Sequence, residues 1–95
     1  MKLKNLDDLI PQKNSKVLER KGPELLLFHS DKGTLYEVLG AGEEIWELCN
    51  GKHTVGEIKK ILRDRYGELD EIDKNVTEFI SKLVKLNLIS LTGKQ

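Results

Sequence analysis

"TLYEVLGAGEEIWELCNGKHTVGEI", residues 34–58, changes rhythm at Gly40. Before that glycine a short run of Leu, Tyr and Val suits a strand. After it, Ile45, Leu48 and Cys49 fall on one face of a helix. That helix stops at Asn50-Gly51, residue types that accept the left-handed conformation of a helix terminus. Thr54 followed by Glu57 spells a capping box, in which each side chain satisfies an orphan backbone donor of a second helix. A strand region giving way to a helical region is the pattern of an α+β domain.

Toward the N-terminus, "KVLER" (16–20) and "ELLLF" (24–28) read as two further strands. Lys21-Gly22-Pro23 and Ser30-Asp31-Lys32-Gly33 are short enough to close hairpins, so the three strands form an antiparallel meander with the third, "TLYEVL" (34–39), on an edge. Residues 1–14 are polar, contain Pro11 and hold no sustained period; they are expected to form a mobile lead-in to a folded domain over 15–92.

Toward the C-terminus, the second helix buries Val55, Ile58, Ile61 and Leu62 and ends near Tyr66-Gly67. Asp70 is the expected N-cap of a third, longest helix, whose core stripe is Ile72, Val76, Ile80 and Leu83 or Val84. Asn87 serves as its left-handed cap, and "LISL" (88–91) adds a last short strand. The expected architecture is thus a three-stranded meander followed by a three-helix, winged-helix-like bundle.

Composition narrows the function. A chain of 95 residues is one domain with one core, too small for the two-lobed cleft of most enzymes. Sixteen Lys and Arg balance sixteen Asp and Glu, so no global field selects nucleic acid, an acidic substrate or an anionic membrane. The N-terminus has no long apolar run and meets Asp7 and Asp8 early, against a signal peptide, and no stretch approaches a membrane span. A single cysteine makes no internal disulfide and fits a reducing cytoplasm.

No constellation for catalysis emerges. His53 lies on the interhelical turn and His29 ends a strand, both read as surface histidines, and no zinc-ligand spacing links them to Cys49. Cys49 lies on an apolar helix face, where a thiol acts as a small hydrophobe. The pairs Asp7-Asp8, Glu43-Glu44 and Asp70-Glu71 suit helix starts or the lead-in. Gly40 and Gly42 lack the Lys-Ser/Thr of a phosphate loop and instead ease the strand-to-helix corner. Trp46 adjoins the core face and is assigned to packing. Neither metal nor cofactor is expected.

Two binding readings remain, and both use the third helix. A three-helix unit with a trailing strand suits a winged-helix regulator that reads a DNA groove. Here, however, Asp70, Glu71, Asp73 and Glu78 outnumber Lys74, Lys82 and Lys85, a poor balance for neutralising phosphates. The basic residues Lys59, Lys60, Arg63 and Arg65 lie on the second helix. The other reading starts from the edge strand, whose unpaired backbone is a template for an added strand. Asn75, Phe79, Lys82 and Leu86 form a partly apolar flank beside the core stripe; they line a groove against that edge, or the helix is simply buried on two sides.

With "YEVLGAGEEIWELCNGKHTVGEI", Tyr66 and "VTEFISKLVKLNLI" in view, residues from about 16 to 90 resemble the pyrroloquinoline quinone synthesis protein D family, the PqqD-like domains also called RiPP precursor peptide recognition elements. The resemblance implies a non-catalytic adaptor that holds the leader of a ribosomally made precursor peptide as an extra strand and presents it to a tailoring enzyme, often a radical S-adenosylmethionine enzyme or a peptidase. Any cofactor belongs to that enzyme. Carried over by position, Leu35, Tyr36, Glu37 and Val38 fall on the binding strand, and Asn75, Phe79, Lys82 and Leu86 on the groove side of the helix. The chain departs from the family at Leu39-Gly40, where an Asn commonly caps the first helix, at Asn87, where a Gly is usual, and in "LIPQKNSKVLERKG", which differs from the opening of the members serving quinone synthesis.

Overall fold

The computed structural model describes residues 5–68 and 70–93. A 3₁₀ turn at Leu6–Asp8 leads into β1 (Leu9–Lys13), then β2 (Val17–Lys21), β3 (Leu25–His29) and β4 (Thr34–Val38). Three helices follow, α1 (Gly42–Leu48), α2 (Val55–Tyr66) and α3 (Asp70–Lys85), and β5 (Ile89–Gly93) ends the described chain. The α+β expectation and the meander hold: β2, β3 and β4 form an antiparallel sheet in that order.

The lead-in is a correction. Leu9–Lys13 is a strand, paired antiparallel with β5 from Leu9↔Gly93 to Lys13↔Ile89. Its other edge is stitched to the α1–α2 turn, where Lys13 N–H donates to the Cys49 carbonyl (3.2 Å) and Gly51 N–H to the Pro11 carbonyl (2.9 Å). Pro11 interrupts the local pattern and the partner strand lies at the opposite end of the chain, so periodicity could not reveal the pair. Gly51 has φ +79°, a conformation that favours glycine, and a Cβ there would also displace the end of the Gln12 side chain.

Period-two alternation sorts the meander. Leu25, Leu27 and His29 are buried, while Leu26 and Phe28 between them are not. His29 is therefore no surface residue; it is 2 % exposed, its Nδ1 accepts from Lys32 N–H (3.3 Å), and its Nε2 has no hydrogen-bond partner among the described residues. The sheet's inner face packs on Ile45, Trp46 and Cys49, on Val55, Ile58 and Leu62, and on Val76, Ile80 and Leu83. Ile61 and Ile72 are half-buried, and of the two alternatives at the end of the α3 stripe Leu83 is the core residue.

The helix ends follow local chemistry. Thr54 and Glu57 form the complete capping box, at 2.7 and 3.1 Å. Asp70 is the first helical residue rather than the N-cap; the position before it lies outside the described residues. At the far end Asn87 takes φ +61°, with Leu88 N–H donating to the Leu83 carbonyl (2.9 Å) and Asn87 N–H to that of Val84 (3.0 Å), a full Schellman closure. At the departing corner, α1 starts without a side-chain cap. Turn bonds from Gly42 N–H to Leu39 and Glu43 N–H to Gly40, both 3.2 Å, occupy its first donors instead.

A candidate peptide groove

Among the described residues β4 has a neighbouring strand on one side only, and α3 faces its free side. The helix runs opposite to the strand. Near the start of β4 the Lys32 ammonium donates to the Leu86 carbonyl at the helix C-terminus (3.1 Å), and at the other end Val38 and Phe79 meet over Gly42. Between them lies a cleft of about 250 Å³. The β4 segment of Leu35, Tyr36, Glu37 and Val38 forms one wall, with the Leu35 and Glu37 side chains exposed; Phe79, Lys82, Leu83 and Leu86 form the other, with Leu88.

Gly42 sets the width of the closed end. A Cβ there would lie 2.9 Å from Phe79 Cζ and 3.0 Å from Val38 Cγ1, so only glycine lets α1 approach both side chains. Phe79 and Leu86 pack on the core from half-buried positions.

Every expected site residue except Asn75 lines this cleft; Asn75 lines an adjoining depression of about 240 Å³ with Glu78, Phe79 and Lys82. Sequence reasoning missed Leu83, which it offered only as an alternative to Val84 in the core stripe, and Leu88, which it assigned to a strand. A signal for Leu88 existed: the residue after a Schellman cap commonly packs against the helix's last turn. A broader depression of about 650 Å³ on the outer face of α3, lined by Thr77, Glu78, Ser81, Lys82, Val84 and Lys85, borders the groove through Lys82. A helix satisfies its own backbone there. Only the β4 side combines apolar walls with unpaired peptide groups.

The charges around the site are local. A hydrogen bond shared with Glu24, and that residue's like charge, raise the Glu37 carboxyl above its ordinary range. The basic residues of α2 are largely neutralised: Lys59 pairs with Asp7 (2.6 Å), Arg63 with Asp73 (2.5 Å) and Arg65 with Glu44 (2.5 Å). Tyr66 donates its hydroxyl to the same Glu44.

Nothing described assembles a reactive centre. Burial pushes the Cys49 thiol up to about 12, far from a neutral-pH thiolate. Among the described residues no group of three or more His, Cys, Asp and Glu could hold a metal ion, and no helix is long and apolar enough to cross a membrane. Trp46 is fully buried, with the Lys13 ammonium 4.9 Å from its ring centroid.

Comparison with known proteins adds two findings. The family model described as "Coenzyme PQQ synthesis protein D (PqqD)" matches residues 24–89. A solved structure described as "TbiB1 in Complex with the TbiA(beta) Leader Peptide" shares the fold, with a TM-score of 0.75 over 83 % of this chain and 94 % of that one, at 20 % identity. No curated protein sequence gives a match.

Proposed function

This chain belongs to the PqqD family, and on that footing we propose that it is a cytoplasmic, non-catalytic adaptor which captures the leader of a ribosomally made precursor peptide as a strand added to β4. The observation that carries the reading is the open edge of β4 beside an apolar cleft. The bound leader is then presented to a tailoring enzyme, a radical S-adenosylmethionine enzyme or a peptidase, which supplies the chemistry. The leader-bound state of TbiB1 supports this assignment by analogy of fold. The three helices and β5 act as a winged-helix-like unit whose last helix serves a peptide instead of a duplex. Pairing of Lys59, Arg63 and Arg65 with carboxylates weighs against the nucleic-acid alternative.

The energetics assign the work to side chains. A backbone hydrogen bond contributes roughly 0.5 to 1.5 kcal/mol net, whereas ordering each peptide residue costs roughly 1 to 2 kcal/mol. Ladder pairing alone therefore does not hold a leader. Peptide side chains buried against Phe79, Leu83 and Leu86 supply the surplus, at roughly 1.5 to 3 kcal/mol each.

The test is an NMR titration with the leader of a precursor peptide encoded beside this gene. Amide shifts are expected at residues 34–38 and along the groove side of α3, with α2 nearly silent, and Lys82→Glu should alter the affinity without changing the fold. Shifts clustered on Lys59, Lys60, Arg63 and Arg65, with Lys82→Glu binding unchanged, would place the site elsewhere.

A further inference from the structure

Leu18, Phe28 and Leu35 stand on three different strands and form one row. Leu18 is opposite Phe28 in the β2–β3 ladder, and Phe28 is opposite Leu35 in the β3–β4 ladder. All three face solvent, exposed by 61, 37 and 61 %. The inner face of this sheet is already the core side, and the outer face of such a sheet is ordinarily polar. The row stops at Leu35 because β4 has no further neighbouring strand among the described residues. The adjoining row, Arg20, Leu26 and Glu37, stops at the same edge. It ends on a carboxylate that shares a hydrogen bond with Glu24, and neither acid makes an ion pair among the described residues.

A strand laid on β4 would place one outward side chain at the end of each row. Facing residues of neighbouring strands stand about 5 Å apart, and the residue between them turns to the other face, here the cleft. We infer that the peptide accepted by β4 is apolar on both faces at its centre and carries a cation beside it. One aliphatic or aromatic side chain opposite Leu35 becomes the fourth member of the exposed row. A Lys or Arg two positions away stands opposite Glu37 and relieves the juxtaposed carboxylates. The apolar residue between them enters the cleft beside Phe79. This inference rests on the groove reading and narrows its ligand to a strand of that pattern. Continuity of the two rows with the open edge, together with the charge at Glu37, selects this occupant over a second copy of the chain.

Short labelled synthetic peptides test it, with Val, Leu or Phe at the inward positions and Leu, Ser, Lys or Glu at the two central outward ones. Binding is followed by fluorescence polarisation, and amide shifts at 34–38 report occupancy of the groove. The Leu and Lys combination is expected to bind tightest, each replacement costing roughly two- to fivefold. Glu37→Lys should transfer the preference from Lys to Glu, and Leu35→Ser should level the apolar preference. Both positions are exposed, so neither change is expected to lower the melting temperature, which is checked. Peptides that shift the 34–38 amides yet bind alike whatever their outward residues overturn this inference and leave the groove standing. So does a free chain that sediments as a dimer and becomes monomeric on Leu35→Lys. If no peptide in the set shifts those amides, the groove reading itself fails.

Discussion

The two edges of the β2–β3–β4 sheet are built from the same kind of ladder and finished in opposite ways. β2 ends the sheet with Glu19, Arg20 and Lys21, and two of these charges are tied down: Lys13 reaches Glu19 (3.2 Å) and Lys21 reaches Glu47 of α1 (2.5 Å). Charged, side-chain-bridged edges resist the addition of a further strand. β4 ends the sheet with Leu35, Tyr36, Glu37 and Val38, and its free side opens on the cleft beneath α3. One edge is closed by electrostatics and the other left available, so the direction in which the sheet can grow is set by side chains and not by backbone geometry.

The largest effect expected from disturbing this contrast is on the closed side. Trp46 is fully buried beneath Lys13, so Trp46→Ala should cost about 3 to 5 kcal/mol, against a total of about 5 to 15 for a domain of this kind. Denaturant melts check this. An unchanged melt with loss of peptide binding would move Trp46 from the fold to the site.

Next comes the open side. Exchanging glycine for alanine inside a helix ordinarily gains up to about 1 kcal/mol, but at Gly42 the new methyl meets Phe79 and Val38 at 3.0 Å or less. Overpacking typically costs about 1 to 3 kcal/mol, so Gly42→Ala should be neutral to destabilising and should weaken leader binding by displacing Phe79. A stabilised protein with intact binding would show that the closed end of the cleft is softer than its geometry.

The smallest effects should have opposite signs at the two edges. Burial raises the Glu19 carboxyl, but Trp46, Lys13 and Lys21 outweigh it and hold the group below its ordinary range. Its contribution is therefore present above the unfolded value near pH 4.3 and lost as pH falls through the lowered one. Because both side chains keep some contact with solvent, at 22 and 31 % exposure, Glu19→Gln should cost about 1 kcal/mol or less at neutral pH, and the difference should vanish in acid. Glu37 runs the other way. Its raised carboxyl penalises the folded state above that raised value, so Glu37→Gln should raise the melting temperature slightly at pH 7 and converge with the parent as Glu37 becomes protonated. Melting curves of both variants between pH 3 and 7 decide the signs.

How much of this was legible in the sequence depended on distance along the chain. The meander turns, the Thr54–Glu57 box and the Asn87 cap are written within a few residues and were readable. The pairing of β1 with β5 joins opposite ends of the chain and leaves no local signature. His29 was readable in principle, since it continues the alternation of Leu25 and Leu27, but its polar ring argued for the surface and the register argued correctly for the interior. The β4 edge and the α3 flank were visible in the pattern, but preferring a groove to a helix buried on two sides took the family resemblance, because an extra apolar flank on a helix does not say what it faces. Leu83 and Leu88 escaped because each serves the core and the cleft together.

The β1–β5 ladder has one further consequence, for attachment. Leu9 and Gly93 stand opposite each other, but before Leu9 the chain turns through Leu6–Asp8 onto α2, where Asp7 takes Lys59 (2.6 Å), so of the two ladder ends Gly93 is the one that points away from the domain. β5 begins beside cleft-lining Leu88 and runs away from it, and at about 3.3 Å per residue that end lies roughly 13 Å beyond the groove. A cargo fused beyond β5 would hang from this short mast, at a distance from β4.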